Sequence, residues 1–198
     1  MTTADPRATR NAGRTYLAGH AYCEGAFHPK LVVIAGPARA TVAIGSGNAT
    51  IAGWQGNAEL WTVARANPRY CPQVLLDIAQ WFTNLTSVVQ LSRGVPEACA
   101  RVAEQLATLA TDATITDTDV QFVSSTTGAV LGSLPTGPVD ELAVCAPFRD
   151  PAAAALRALV DQLQPTTLRI SYQPGLTALD QSALQAFPQN WSPAARRS

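Results

Sequence analysis

The stretch His28-Pro29-Lys30 sets an imidazole and an ammonium two residues apart at the head of a β-branched run, and Gly45-Ser46-Gly47-Asn48 closes the next run. Side chains two apart on a strand project to the same face, so His28 and Lys30 are expected to point together, as are Ser46 and Asn48. The four supply a nucleophile or base, a fixed positive charge, a hydroxyl and an amide, while Gly45 and Gly47 leave the backbone open to an approaching substrate oxygen. Such a set suits an anionic, tetrahedral group. Preorganised donors stabilise charge developing on its oxygens, and a histidine can take up a phosphoryl group covalently without a metal ion. Glu59 follows on the next run, where a carboxylate is expected to hold the second imidazole nitrogen and orient the ring. Trp54, in the loop between Asn48 and Glu59, is expected to line the same site.

These groups meet only if the strands carrying them pair. Residues 26–35 and 40–46 read as two strands joined through Gly36-Pro37, with a third at 57–65. A short connection makes the first pair antiparallel, which brings the start of one strand beside the end of the other. Beyond Pro72, Val74, Leu75, Ile78, Trp81, Phe82 and Leu85 recur at three- and four-residue spacing, predicting an amphipathic helix, and Pro96 beside Glu97 opens a second. A strand over 119–124, a loop over 132–138 and a strand at Glu-Leu-Ala-Val-Cys-Ala-Pro-Phe follow. Asp150 is expected to cap a helix reaching about Gln164, before a strand at Thr-Leu-Arg-Ile-Ser-Tyr and a short helix over 177–187. The fold class expected is α/β, a mixed β-sheet flanked by helices, with one domain and the start of a second.

Composition narrows the function classes. The chain has 198 residues, 47% of them hydrophobic, with a formal net charge of zero, which disfavours a broad nucleic-acid footprint but leaves a local basic patch open. Its apolar runs are interrupted well short of the roughly 20 residues a membrane helix needs. The opening residues carry Arg7, Arg10 and Arg14 without an apolar signal core, so a cytoplasmic location is expected. Cys23, Cys71, Cys99 and Cys145 lie far apart and are expected as reduced, mostly buried thiols; no metal and no cofactor are expected. The Asn48 and Asn84 sequons are read as ordinary asparagines. Trp81 is assigned to the core, Trp61 to strand alternation, Arg39, Arg65 and Arg69 to solvated surface, and Asp112, Asp117 and Asp119 to solvated turns.

The residues Phe-His-Pro-Lys-Leu at 27–31, Gly-Ser-Gly-Asn-Ala-Thr at 45–50 and Asn-Ala-Glu-Leu at 57–60 resemble the H-x-K and G-S-x-N signature of the phospholipase D superfamily, in its nuclease-like or helicase-associated branch. The resemblance spans Gly25 to Val63. It implies a phospholipase D-like domain over residues 25–148, with a second α/β unit beginning at 149–187; the polar, irregular residues 1–24 are read as a flexible lead-in and 188–198 as a disordered tail. It implies a metal-independent phosphodiesterase, of nuclease type, in which His28 attacks phosphorus, Lys30, Ser46 and Asn48 hold the non-bridging oxygens, and Glu59 orients the histidine. Gly45, Gly47 and Trp54 are the expected substrate-binding positions. The aspartate of the fuller motif would fall near Ala35 and is absent.

Such enzymes draw a second histidine from a second motif, to act as general acid for the leaving group. The chain's other histidine, His20, is not followed by x-Lys. A homodimer, or a second phospholipase D-like half beyond residue 198, is therefore the expected partner, and an inactive site is the remaining outcome. Nucleic acid is the expected substrate and no membrane partner is expected. A reading of another class is a non-catalytic module of the same kind that binds nucleic acid or a protein.

Overall fold

The computed structural model describes residues 2–3, 16, 18–116, 120–146, 150, 152–172, 187 and 191–195. The chain divides into two compact units, Met1–Phe122 and Val123–Ser198, so the division expected near residue 148 falls inside the second unit.

In the first unit, β1 (Thr2–Thr3) and β2 (Gly19–Tyr22) pair in parallel within the segment expected to be a lead-in. The strands β3 (Leu31–Gly36), β4 (Arg39–Gly45) and β5 (Trp61–Ala66) form an antiparallel sheet in that order. Gly36 pairs with Arg39, so Pro37 and Ala38 make the two-residue turn the sequence called for. Then come β6 (Tyr70–Pro72), α1 (Gln73–Val88), β7 (Gln90–Leu91), α2 (Val95–Ala110) and β8 (Thr114–Thr116). β7 joins β2 antiparallel, and β8 lies parallel to β6.

The helices form where three-and-four spacing of apolar residues is unbroken. Val74, Leu75, Ile78, Ala79 and Leu85 bury one stripe of α1, and Val95, Cys99, Ala103, Leu106 and Leu109 bury one of α2. Ahead of α2, Gly94 takes a left-handed φ of 85°, a conformation a side chain disfavours. Leu75 and Ile78 have no exposed surface, and together with Leu106, Val42 and Ala40 they form the main core between helices and sheet. Each such leucine, isoleucine or valine side chain contributes about 1.5–3 kcal/mol when fully buried. A second cluster packs Trp81 against Phe82 and Phe122 in edge-to-face contacts, with ring centroids 5.2 and 6.0 Å apart.

The second unit carries β9 (Glu141–Cys145), α3 (Ala154–Leu163), β10 (Thr167–Tyr172) and β11 (Trp191–Ala195), the strands parallel in the order β11-β10-β9. Leu156, Val160, Leu168 and Ile170 form its core. α3 starts at Ala154 behind Ala153, which holds the N-cap position without a side-chain bond; Asp150 is not the N-cap residue expected, but its carboxylate reaches from three residues further back to accept the N–H groups of Ala154 and Ala155.

The α/β class expected from the sequence therefore holds, but as several small sheets among the described residues and not as one mixed sheet. Residues 120–124 are not a strand; the pairing falls earlier, on Thr114–Thr116. Residues 191–195 form β11 where a disordered tail was expected. The helix expected over 177–187 lies outside the described residues apart from Phe187, as do Asp117 and Asp119. No helix among the described residues is long and apolar enough to cross a membrane.

Candidate functional site

The sheet β3–β4–β5 has one face on the core and one away from it. Ala40 and Val42 are buried, and Leu31, Val33, Ala35 and Ala64 pack beside them. Alternation sends Val32, Ile34, Arg39, Thr41, Ala43, Trp61, Val63 and Arg65 to the opposite face, where Ile34 is 67% exposed. The backbone row below Leu31 continues the pairing: the Gly45 N–H donates to the Lys30 carbonyl at 3.1 Å, and Gly45 faces Trp61 across the ladder. The start of the first strand thus lies beside the end of the second, and Lys30, His28 and Glu59 extend the outward face at that end.

Lys30 and His28 touch. The Lys30 Nζ lies 2.5 Å from Nδ1 and 3.2 Å from Nε2 of the exposed His28 ring. An ammonium has only hydrogens to give, so the ring is the acceptor in this contact.

Ser46 and Glu59 form the second half of the site. β4 ends at Gly45, and the Ser46 hydroxyl turns to donate to Glu59 Oε2 at 2.5 Å while accepting the Leu60 N–H at 3.1 Å. Asn57 donates through Nδ2 to Glu59 Oε1 at 3.1 Å. The Ser46 hydroxyl first, then the Asn57 amide, with the nearby Lys30 ammonium, hold the Glu59 carboxyl below its ordinary range against some desolvation. Lys30 therefore touches the imidazole and adds its positive charge to the surroundings of the carboxylate. The bond expected between Glu59 and His28 is not the one formed: both carboxylate oxygens are engaged by Ser46 and Asn57.

The glycines have a packing reason beyond ligand access. A Cβ on Gly45 would sit 2.5 Å from Cδ2 of Trp61, and one on Gly47 would sit 2.5 Å from the Gly53 carbonyl and 2.8 Å from Cζ2 of Trp61. The Trp61 indole lies across both positions, and side chains there would expel it. Asn48 is exposed. Its carbonyl accepts the Thr50 N–H at 2.8 Å, and Gly53 packs on its backbone, so this residue anchors the turn at Ala52–Gly56. Trp54, on that turn, is 57% exposed and meets Trp61 edge to face at a centroid distance of 6.2 Å.

The structure thus gathers His28, Lys30, Ser46 and Glu59, with Gly45 and Gly47 beneath them and Trp54 beyond Trp61. Two residues carry more than the sequence assigned to them. Asn57 holds Glu59, signalled only by its two-residue spacing from it, and Trp61, read as ordinary strand alternation, covers the glycines. His20 lies on β2, its backbone N–H bonded to Ser92 Oγ at 2.9 Å. A groove between α1 and α2, lined by Leu76, Ala79, Phe82, Ala100, Ala103 and Ala107, includes none of the site residues. Among the described residues no three His, Cys, Asp or Glu side chains come together as metal ligands would. Comparison with protein-family models, curated proteins and solved structures finds no match for this chain.

Proposed function

We propose that the chain is a phospholipase D-like phosphodiesterase of nuclease type. The observation that carries this reading is the joint placement of His28, Lys30, Ser46 and Glu59 at one open end of the β3–β4–β5 sheet, together with the H-x-K and G-S-x-N spacing of the sequence. An arriving phosphodiester competes for the Lys30 ammonium and for the Ser46 hydroxyl proton, both now held within the protein. Once Lys30 turns to the phosphate, Nδ1 is free to carry the ring hydrogen and Nε2 presents a lone pair.

Nε2 then attacks phosphorus, the bond to one ester oxygen breaks, and that oxygen leaves as an alcohol with a proton from a general acid. Water next attacks the phosphohistidine, releasing the phosphomonoester and restoring the imidazole. Lys30 and the Ser46 hydroxyl, once it leaves Glu59, hold the non-bridging oxygens together with Asn48, and Asn57 keeps Glu59 in place. The general acid comes from a second histidine-bearing copy or half.

The test is incubation of labelled single- and double-stranded DNA in EDTA with wild type and His28→Ala, alongside native mass. Metal-independent cleavage lost in the variant is expected; cleavage that survives His28→Ala refutes the mechanism. Absence of cleavage by a confirmed dimer supports the other reading, a non-catalytic module that binds nucleic acid or a protein, which the engagement of Glu59 by Ser46 and Asn57 instead of His28 favours.

A further inference from the structure

The outward face of the β3–β4–β5 sheet carries cations and aromatics together. Lys30, Arg39 and Arg65 project from it, opposed by Glu59 alone among acidic residues of these strands and their immediate extensions. Arg65 faces Thr41, four residues along β4 from Gly45, so it stands about 13 Å from the Lys30 end at roughly 3.3 Å per residue. Between them lie Val32, Ala43 and Val63, and at the Lys30 end stands the Trp54–Trp61 pair.

Trp54 is exposed yet held. Its backbone N–H donates to the Thr50 carbonyl at 3.1 Å, the Gly53 N–H donates to Thr50 Oγ1 at 3.0 Å, the Asn57 N–H closes the turn on the Ala52 carbonyl at 2.7 Å, and Trp61 supports the ring. A large indole kept in water on a fixed turn loses little conformational freedom when a planar group stacks on it. The bases of a duplex have their faces covered by their neighbours, whereas an unpaired base offers its face to such a ring.

We infer that this sheet face is a track for single-stranded nucleic acid, with Trp54 stacking an unpaired base beside the candidate site and Arg65 and Arg39 neutralising phosphates along the strand. The inference rests on the phosphodiesterase reading only in the identity of the polymer. Its stacking element needs no turnover, so the two stand or fall separately.

The experiment titrates a fluorescently labelled mixed-sequence DNA oligonucleotide, single-stranded or annealed to its complement, with the full chain carrying His28→Ala to prevent cleavage. The single strand is expected to bind more tightly than the duplex. Adding Trp54→Ala should weaken single-strand binding about five- to hundredfold, the range base–aromatic stacking supports, with Trp54→Phe retaining most of the affinity. Arg65→Gln should lower the slope of log affinity against log salt by about 0.7, one phosphate contact on a single strand. Equal affinity for duplex and single strand, or a Trp54→Ala variant that binds as its parent does, overturns the inference even if the wild type cleaves. Trp54-dependent binding by a chain that never cleaves leaves it standing and removes the enzymatic reading.

Discussion

Gly47 and Gly56 flank the same turn, and replacing each by alanine should move stability in opposite directions. At Gly47 the new methyl would lie 2.5 Å from the Gly53 carbonyl and 2.8 Å from the Trp61 ring, and within 3.3 Å of Glu59 Cγ. A backbone oxygen cannot swing aside as a flexible side-chain tip can, so either the Ala52–Gly56 turn lifts from the strand end or Trp61 leaves its place. Overpacking of this kind costs about 1–3 kcal/mol. At Gly56 the nearest atom is the Ala52 Cβ at 4.0 Å, ordinary contact, and φ is not in the left-handed region. There alanine only reduces the freedom of the unfolded chain and should stabilise by about 0.4–1 kcal/mol.

The two variants should therefore differ by about 1.5–4 kcal/mol. Urea unfolding followed by tryptophan fluorescence reads the difference directly, because Trp54 and Trp61 both report on the turn. With a slope of about 1–3 kcal/mol per molar, a 2 kcal/mol loss moves the midpoint by on the order of 1 M. If Gly47→Ala unfolds at the wild-type midpoint, or alongside Gly56→Ala, the claim that Trp61 and the turn close over the glycines is wrong, and with it the packing account of the Gly-Ser-Gly spacing.

Three further outcomes follow from the same structure. The Glu59 carboxyl titrates below its unfolded value, so the stability it lends is complete above the unfolded pKa and is lost as pH falls through the folded one. Ser46→Ala should raise its midpoint in a carboxyl-carbon NMR titration, and an unmoved midpoint would remove Ser46 as the cause. Burial pushes the Cys71 and Cys99 thiols up, while Cys145 is exposed, so a maleimide should modify Cys145 first and Cys71 and Cys99 only on unfolding, as mass spectrometry of the digest would show. Ile78→Ala, at a position with no exposed surface, should cost about 2–5 kcal/mol in equilibrium unfolding, whereas Ile34→Ala on the outward sheet face should cost far less.

The parts of the fold legible in the sequence are those whose forces are local. The stripe Val74, Leu75, Ile78 and Leu85 repeats with helical period, and α1 runs from Gln73 to Val88 around it. Pro37 between two β-branched runs dictates a tight turn, and the β3–β4 register follows from it, bringing the Lys30 end of one strand to the Gly45 end of the other. Strands without such a pattern were missed. Tyr70–Pro72 and Gln90–Leu91 are too short to alternate, and β11 exists through its parallel pairing with β10, not through a pattern of its own.

At the site, strand alternation and the turn at Pro37 account for His28 and Lys30 lying at the Gly45 end of β4, and the β4–β5 pairing brings the Glu59 end of the next strand beside them. Which of them bond to each other was decided in three dimensions. The chain turns where β4 ends, so Ser46 leaves the alternation and reaches Glu59, Asn57 takes the other carboxylate oxygen, and Lys30 rather than Glu59 meets the imidazole. Trp61 lies over Gly45 and Gly47 only because β5 pairs with β4 in one register, and a shift of one residue would turn the indole to the other face of the sheet. Spacing can say which side chains share a neighbourhood; the choice of hydrogen-bond partner turns on differences of an ångström or so, which only the packed chain sets.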